Sequence, residues 1–292
     1  MSHIALVTDS TASLPPELVS RHDIRVVPLQ VVVGARSYDE GSTDGATAQT
    51  VADALRDFVP VSTSRPSPAL MLETYERAAA DGATEIVSVH LSGELSGTYE
   101  SALLAAKESP VPVTAVDSRQ LGMATGFAVL SAAEVLAAGG SAETAADVVR
   151  ARTRETTSLF YVDTLEYLRR GGRIGAAAAL LGSALAVKPL LQLDDGRIGM
   201  LEKVRTSARA LGRLEELAVT AAGERAVDVA VAHLANPERA ELLAANLAKR
   251  LERNLEDREV VVGEVGVVIG AHVGPGMVAV VVSPRPGAVD RG

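Results

Sequence analysis

The chain has 292 residues, 47% of them apolar and 3% aromatic, with a formal net charge of -9 and no cysteine. An acidic balance without a basic stripe or stacking aromatics argues against a general nucleic-acid partner, and the absence of thiols excludes disulfides, cysteine nucleophiles and thiolate metal sites. No apolar run approaches the roughly 18 residues of a membrane span, and the length suits two cores better than one. The first residues carry no basic segment followed by an apolar core, so cytoplasmic residence is expected. From there β-branched apolar runs alternate with Ala/Leu/Glu/Arg stretches of helical period, the pattern of a sheet flanked by helices. Strands are expected near 4–8, 24–33, 61–63, 85–90 and 113–117. Helices are expected near 15–21, 47–58, 68–81, 97–108 and 122–138, with a further one from Ser141 to about 153.

These elements predict an N-terminal α/β domain over 1–154 with a parallel, Rossmann-like sheet. The remainder, 155–292, predicts a second α/β domain with a mixed sheet. Its strands fall near 159–162, 189–193, 198–202, 226–233, 260–264 and 277–282, its helices near 165–169, 174–185, 206–222 and 237–251. Asp194-Asp195-Gly196 between two apolar strands reads as a hairpin turn.

Three hydroxyl-rich loops follow strands of the first half and lead into helices: 8–14 with Asp9 and Ser10, 62–68 with Thr63, Ser64 and Arg65, and 91–99 with Ser96 and Gly97. In an open α/β sheet the carboxyl edge is where ligands bind. Hydroxyls beside free N–H groups at helix starts suit an anion, although each loop alone also reads as an ordinary N-cap. In the second half, Gly270-Ala271-His272-Val273-Gly274-Pro275-Gly276 sets a histidine among three glycines and a proline. It is either a tight turn or a loop that aims His272 at a ligand. Arg205 stands at a helix start, where a positive charge opposes the dipole and hints at an anionic partner; it also reads as a solvated residue.

Common reaction motifs are missing. There is no G-x-x-x-x-G-K-S/T loop, 169–175 does not give G-x-G-x-x-G after a strand, and 93–97 is not G-x-S-x-G. The five histidines lack metal-ligand spacing, and His90 lies in an apolar strand as a core residue. A convergent triad from Ser96, His272 and Asp9 stays open, because triads are defined by geometry rather than order. It would make the chain a serine-dependent lipid hydrolase or acyltransferase using Ser96 and His272. A binding module for another small acid or a phosphorylated metabolite also stays open.

Thr8-Asp9-Ser10-Thr11, the 63–68 and 95–99 segments, Leu165 to Ile174, Lys188-Pro189-Leu190-Leu191, Lys203-Val204-Arg205-Thr206 and His272 to Gly276 occur in one order over nearly the whole chain. Through them the chain resembles the DegV family of bacterial fatty-acid-binding proteins. The resemblance implies two α/β domains enclosing one long-chain fatty acid such as palmitate, with the carboxylate at the domain junction and the tail in an apolar tunnel of the second domain. It further implies that Thr63, Ser96, the N–H of Gly97, Arg205 and His272 take the carboxylate, while Asp9, Ser10 and Ser64 support the loops. No metal, cofactor or catalytic residue is implied. The partner implied is a separate ATP-dependent fatty acid kinase, to which a monomeric carrier presents its ligand for acyl phosphate formation and phospholipid synthesis. Arg169, Arg170 and Arg173, a basic cluster in an acidic chain, read either as a docking site for that kinase or as a solvated helix end. Two departures are Arg65, where many members carry glutamine, and Glu94; neither is expected to touch a group of the anion site. The small-residue run 176–186 leaves room for a chain, but close helix packing is the commoner reason for such a run.

Overall fold

The computed structural model describes residues 3–175, 177 and 188–286. Contacts divide the chain into two compact units. One holds the chain up to Gln30, Ser64–Glu155 and Pro286; the other holds Val31–Thr63 and Thr156–Arg285. A single cut after residue 154 therefore misses that 31–63 belongs with the second unit. The reason lies at Pro28, which has no N–H to give a ladder and ends the run expected over 24–33. On its N-terminal side is β2 (Ile24–Val27), beside β1 (Ile4–Asp9). On its C-terminal side is β3 (Gln30–Val33), in a separate three-stranded sheet with β4 (Arg36–Asp39) and β5 (Val61–Ser64), ordered β4-β3-β5. Between β4 and β5 runs α2 (Ala48–Arg56), capped by the Thr47 hydroxyl. β5 alternates half-buried and exposed residues, unlike a parallel strand covered on both faces.

The first unit is a four-stranded parallel sheet, ordered β2-β1-β6-β7, with β6 at Glu85–His90 and β7 at Val113–Asp117. Five of the six β6 residues are buried, the near-continuous run of a doubly covered strand. Met71 and Tyr75 of α3 (Pro68–Ala80) and Ala102 of α4 (Thr98–Ala106) pack with Val7 and Ile86. Ala128 and Ala132 of α5 (Met123–Ala137) and Val149 of α6 (Ala142–Glu155) pack with Leu6, Val87 and Val89. The chain leaves β1 for β2 on one side and returns to β6 on the other. The carboxyl ends of β1 and β6 thus form a switch point, the usual crevice for a ligand in such a sheet.

The second unit carries a six-stranded mixed sheet, ordered β10-β9-β8-β13-β11-β12, antiparallel except for β11 and β12. The strands are β8 (Thr157–Tyr161), β9 (Lys188–Asp194), β10 (Arg197–Val204), β11 (Val227–His233), β12 (Val261–Glu264) and β13 (Val278–Pro284). Asp195 and Gly196 both take positive φ, 46° and 80°, the geometry that a two-residue hairpin turn demands. Ala210 and Leu214 of α8 (Ser207–Ala222) and Leu243 and Leu247 of α9 (Pro237–Arg250) pack on Leu159, Val229 and Val280. Each such leucine contributes about 1.5–3 kcal/mol of burial. The helix expected over 174–185, with its small-residue run, lies outside the described residues except at 174, 175 and 177. The segment expected to be a glycine loop begins instead as a helix, α11 (Val267–Val273), which places His272 in its last turn.

Candidate functional site

In the first unit the site grows from Asp9, fully buried at the end of β1. One carboxylate oxygen accepts the Thr11 N–H and hydroxyl; the other accepts the Leu91 N–H at 3.0 Å and meets His90 Nδ1 at 3.0 Å. The far nitrogen of His90 lies 2.7 Å from the Ser88 hydroxyl, which accepts from Tyr75 at 2.9 Å. This buried chain locks the loop after β1 to the loop after β6. Ser10 adds a second tie, its hydroxyl accepting the Leu29 N–H at 3.0 Å. Burial pushes the Tyr75 phenol up to about 12, so it stays a neutral donor.

The loop after β6 then uses its backbone donors in order. Ser92 N–H goes to Gln120 O, Gly93 N–H to Asp117, Glu94 N–H to the Ser92 hydroxyl, and Leu95 and Ser96 N–H to Ser92 O. Thr98 N–H takes the Ser96 hydroxyl at 3.3 Å. The N–H of Gly97, the N-cap of α4, has no partner among the described residues. It lies beside a half-buried Ser96 hydroxyl and the open N-terminal donors of a nine-residue helix. This arrangement accepts negative charge. Arg65, expected from the sequence to touch no group of the anion site, reaches this point: its Nη1 lies 3.2 Å from Gly97 O and 3.3 Å from Glu100. A Cβ on Gly97 would fall 1.8 Å from that nitrogen. Sequence spacing could not show this, because residues 65 and 97 meet only through the fold.

In the second unit the site grows from α11. Glu40, from the 31–63 segment, accepts the Val268 N–H at 2.9 Å and so caps the first turn. At the other end Gly274 takes φ 74° and its N–H returns to Gly270 O. A Cβ there would lie 1.9 Å from the Tyr167 ring, so only glycine lets the chain turn so close to α7 (Glu166–Arg170). His272 projects from this clamp to Thr63, Nε2 to Oγ1 2.8 Å. Its Nδ1 is buried against Gly171, where a Cβ would approach to 2.1 Å, and has no hydrogen-bond partner among the described residues. Burial, with the positive charge of Arg173 adding to it, pushes the ring down to about 4; His272 is therefore neutral near pH 7.

The structure thus brings Thr63, His272 and Arg173 together in one unit; in the other, Asp9 and Ser10 tie the loop after β1 to its neighbours, and Ser96 and Gly97 lie on the loop after β6. Ser64 is exposed, its hydroxyl reaching Arg65 O at 3.3 Å. Arg205 is exposed between β10 and Thr206, the N-cap of α8, with no side-chain hydrogen bond or ion pair among the described residues. Arg169 and Arg170 are exposed on α7 and share Glu166, whose carboxyl they hold down to about 2. Two sequence expectations need correction. The three hydroxyl loops do not share one sheet edge, because β5 lies outside the parallel sheet. Asp9 is not placed as the third member of a triad with Ser96 and His272: its oxygens are taken by Thr11, Leu91 and His90, and among the described residues neither nitrogen of His272 meets a carboxylate. Among the described residues, no group of three or more His, Asp or Glu side chains is placed to hold a metal, and no helix is long and apolar enough to cross a membrane.

The family model described as "Uncharacterised protein, DegV family" matches residues 3–285. A DegV domain-containing protein of Streptomyces coelicolor is 55% identical over 97% of this chain and 99% of its own length. Among solved structures, a fatty-acid-binding DegV family protein from Thermus thermophilus aligns with a TM-score of 0.89 and 34% identity, covering 97% of this chain and 100% of that one. DegV, a fatty acid binding protein from Bacillus subtilis, aligns with a TM-score of 0.88 and 31% identity, covering 98% and 100%. Two covered α/β sheets, a donor-lined switch point and a match that runs from one end of the fold to the other make this chain a member of the DegV family.

Proposed function

We propose that this protein binds one long-chain fatty acid, such as palmitate, and carries it as a ligand rather than transforming it. Thr63, Ser96, the N–H of Gly97, Arg205 and His272 take the carboxylate, and Asp9, Ser10 and Ser64 hold their loops. The observation that carries this reading is the Ser96–Gly97 turn. Its Gly97 N–H, without a partner among the described residues, sits where a helix start and a sheet switch point coincide, beside a Ser96 hydroxyl that lies 2.9 Å from the Thr98 hydroxyl and keeps its proton for a carboxylate when Thr98 is the donor of that pair. Fatty-acid binding by the Thermus and Bacillus relatives supports the lipid over another small acid. Affinity comes from the tail, since each buried methylene contributes about 0.8 kcal/mol, while the head group sets orientation. A neutral His272 with no carboxylate behind it among the described residues is a hydrogen-bonding group, not the activated base that a hydrolase needs.

The chain has no nucleotide loop, so chemistry on the bound acid falls to a partner. We infer an ATP-dependent fatty acid kinase that converts the carboxylate to an acyl phosphate for phospholipid synthesis, the carrier being a cytoplasmic monomer. Mass spectrometry of an organic extract of the purified protein tests the first step. About one fatty acid per chain is expected, and none, even after fatty acid is supplied, refutes the carrier reading. Incubating the loaded protein with the cognate kinase and ATP tests the second.

A further inference from the structure

Phe58 is 78% exposed, follows α2 and Asp57, and has φ of 58°. The Val59 N–H reaches back to Ala54 O at 2.8 Å, closing the helix in the form whose left-handed residue is ordinarily glycine. Among the described residues, the other non-glycines at positive φ are Ser13, Asp23, Arg119, Asp195, Ala235, Glu256 and Asp257, all polar or small. A phenylalanine here gains little from folding, because most of its ring stays in water, and it opposes its own backbone. The Arg170 guanidinium lies 6.0 Å from the ring centroid, and Val59 beside it is also exposed.

The place of this patch is as telling as its composition. Phe58 stands five residues before Thr63, which bonds His272, and Arg170 directly precedes Gly171, against which His272 Nδ1 is buried. The same two segments therefore carry an exposed aromatic–arginine pair and part of the head-group cluster. An exposed aromatic with an arginine at cation–π distance is the composition of an interface anchor. We propose that Phe58 and Arg170 form the anchor of a docking surface for a protein partner, one that presents an apolar cleft with a carboxylate opposite Arg170. This rests on the carrier reading, in which the partner is the kinase that must reach the carboxylate. Charge at the patch is balanced: Glu166 offsets one of the two α7 arginines and exposed Asp57, next to Phe58, offsets the other, so the surface is near neutral on a chain of net charge -9 and Arg170 calls for a single carboxylate. A single phenylalanine on so acidic a chain is a poor lipid anchor.

The test uses the full chain loaded with palmitate, the cognate kinase and ATP, reading acyl phosphate against carrier concentration. Phe58→Gly removes the ring and relieves the backbone, so its Tm and palmitate content are expected to equal or exceed those of the wild type. The carrier concentration giving half-maximal rate should rise about tenfold or more. Arg170→Gln should raise it less and flatten its dependence on salt. A Phe58→Gly protein that couples as the wild type does overturns the docking anchor and leaves the carrier reading intact. A lower Tm with unchanged coupling overturns it as well, by showing that the ring serves the fold. If Phe58→Gly abolishes flotation with anionic phosphatidylglycerol vesicles but leaves coupling unchanged, the surface docks lipid and the proposal falls. If the wild type holds fatty acid but neither binds the kinase nor yields acyl phosphate, the kinase assignment and the anchor fall together.

Discussion

At the scale of single residues, His272 and Arg65 make opposite electrostatic contributions. His272 is neutral in the fold, because burial and Arg173 depress its pKa from 6.5 to about 4. The unfolded chain therefore binds a proton before the folded one does as pH falls. Stability from this residue is fully present above about pH 6.5, declines between 6.5 and 4, and is constant below, a loss on the order of 3 kcal/mol. His272→Gln cannot titrate, so its unfolding free energy, followed by denaturant titration across that window, should lack this component. Parallel slopes for the two proteins would refute the assignment. Arg65 holds a half-exposed charge against the Gly97 carbonyl. Arg65→Gln should weaken fatty-acid binding about threefold at low salt and hardly at all at high salt, as calorimetry at two ionic strengths would show.

At the scale of elements, α7 and α11 act as a pair because glycines let them meet. Gly171 has φ of -73°, which alanine adopts freely, so only the clash of a new Cβ with His272 stands against Gly171→Ala. Neighbouring Gly172 is the reverse case: its φ is 70° but a Cβ there meets nothing within 4 Å. Gly172→Ala should cost about 1 kcal/mol through the backbone and leave ligand affinity alone. Gly171→Ala should displace the ring from Thr63, shift the His272 imidazole resonances and lower affinity about tenfold; a pair of variants that behave alike would refute the packing account. The paired helices also show what the sequence could and could not reveal. Helices announced by Thr47, Ser67 and Thr206 were legible because a side-chain cap is a local event. α11 was not, since a seven-residue Val-rich helix owes its first turn to Glu40, far away in sequence. Asp9 was legible as a loop residue, whereas its tie to His90 needed the register of β1 and β6.

At the scale of the whole molecule, the order of strands and helices was readable but the division into units was not. Periodicity reports which face a segment buries; it says nothing about which core receives that face. The segment 31–63 illustrates this. It comes shortly after β2, yet it supplies Glu40 to cap α11, α2 to pack beside it and Thr63 to bond His272. The second unit is thus assembled from two stretches of chain, and the Thr63–His272 pair belongs to both. A fragment of residues 156–286 should therefore keep the alternation of its six strands but lose the order of α11. Joining 31–63 to its N-terminus through a flexible linker should restore cooperative unfolding and the native chemical shifts of the His272 ring protons. Heteronuclear NMR and thermal unfolding of the two fragments decide the matter. If the shorter fragment already shows an ordered α11 with native His272 resonances, the segment is an accessory strap. If only the joined fragment does, then residues 31–63 form part of the second core, and the second unit must wait for residue 156 onward before its site can close.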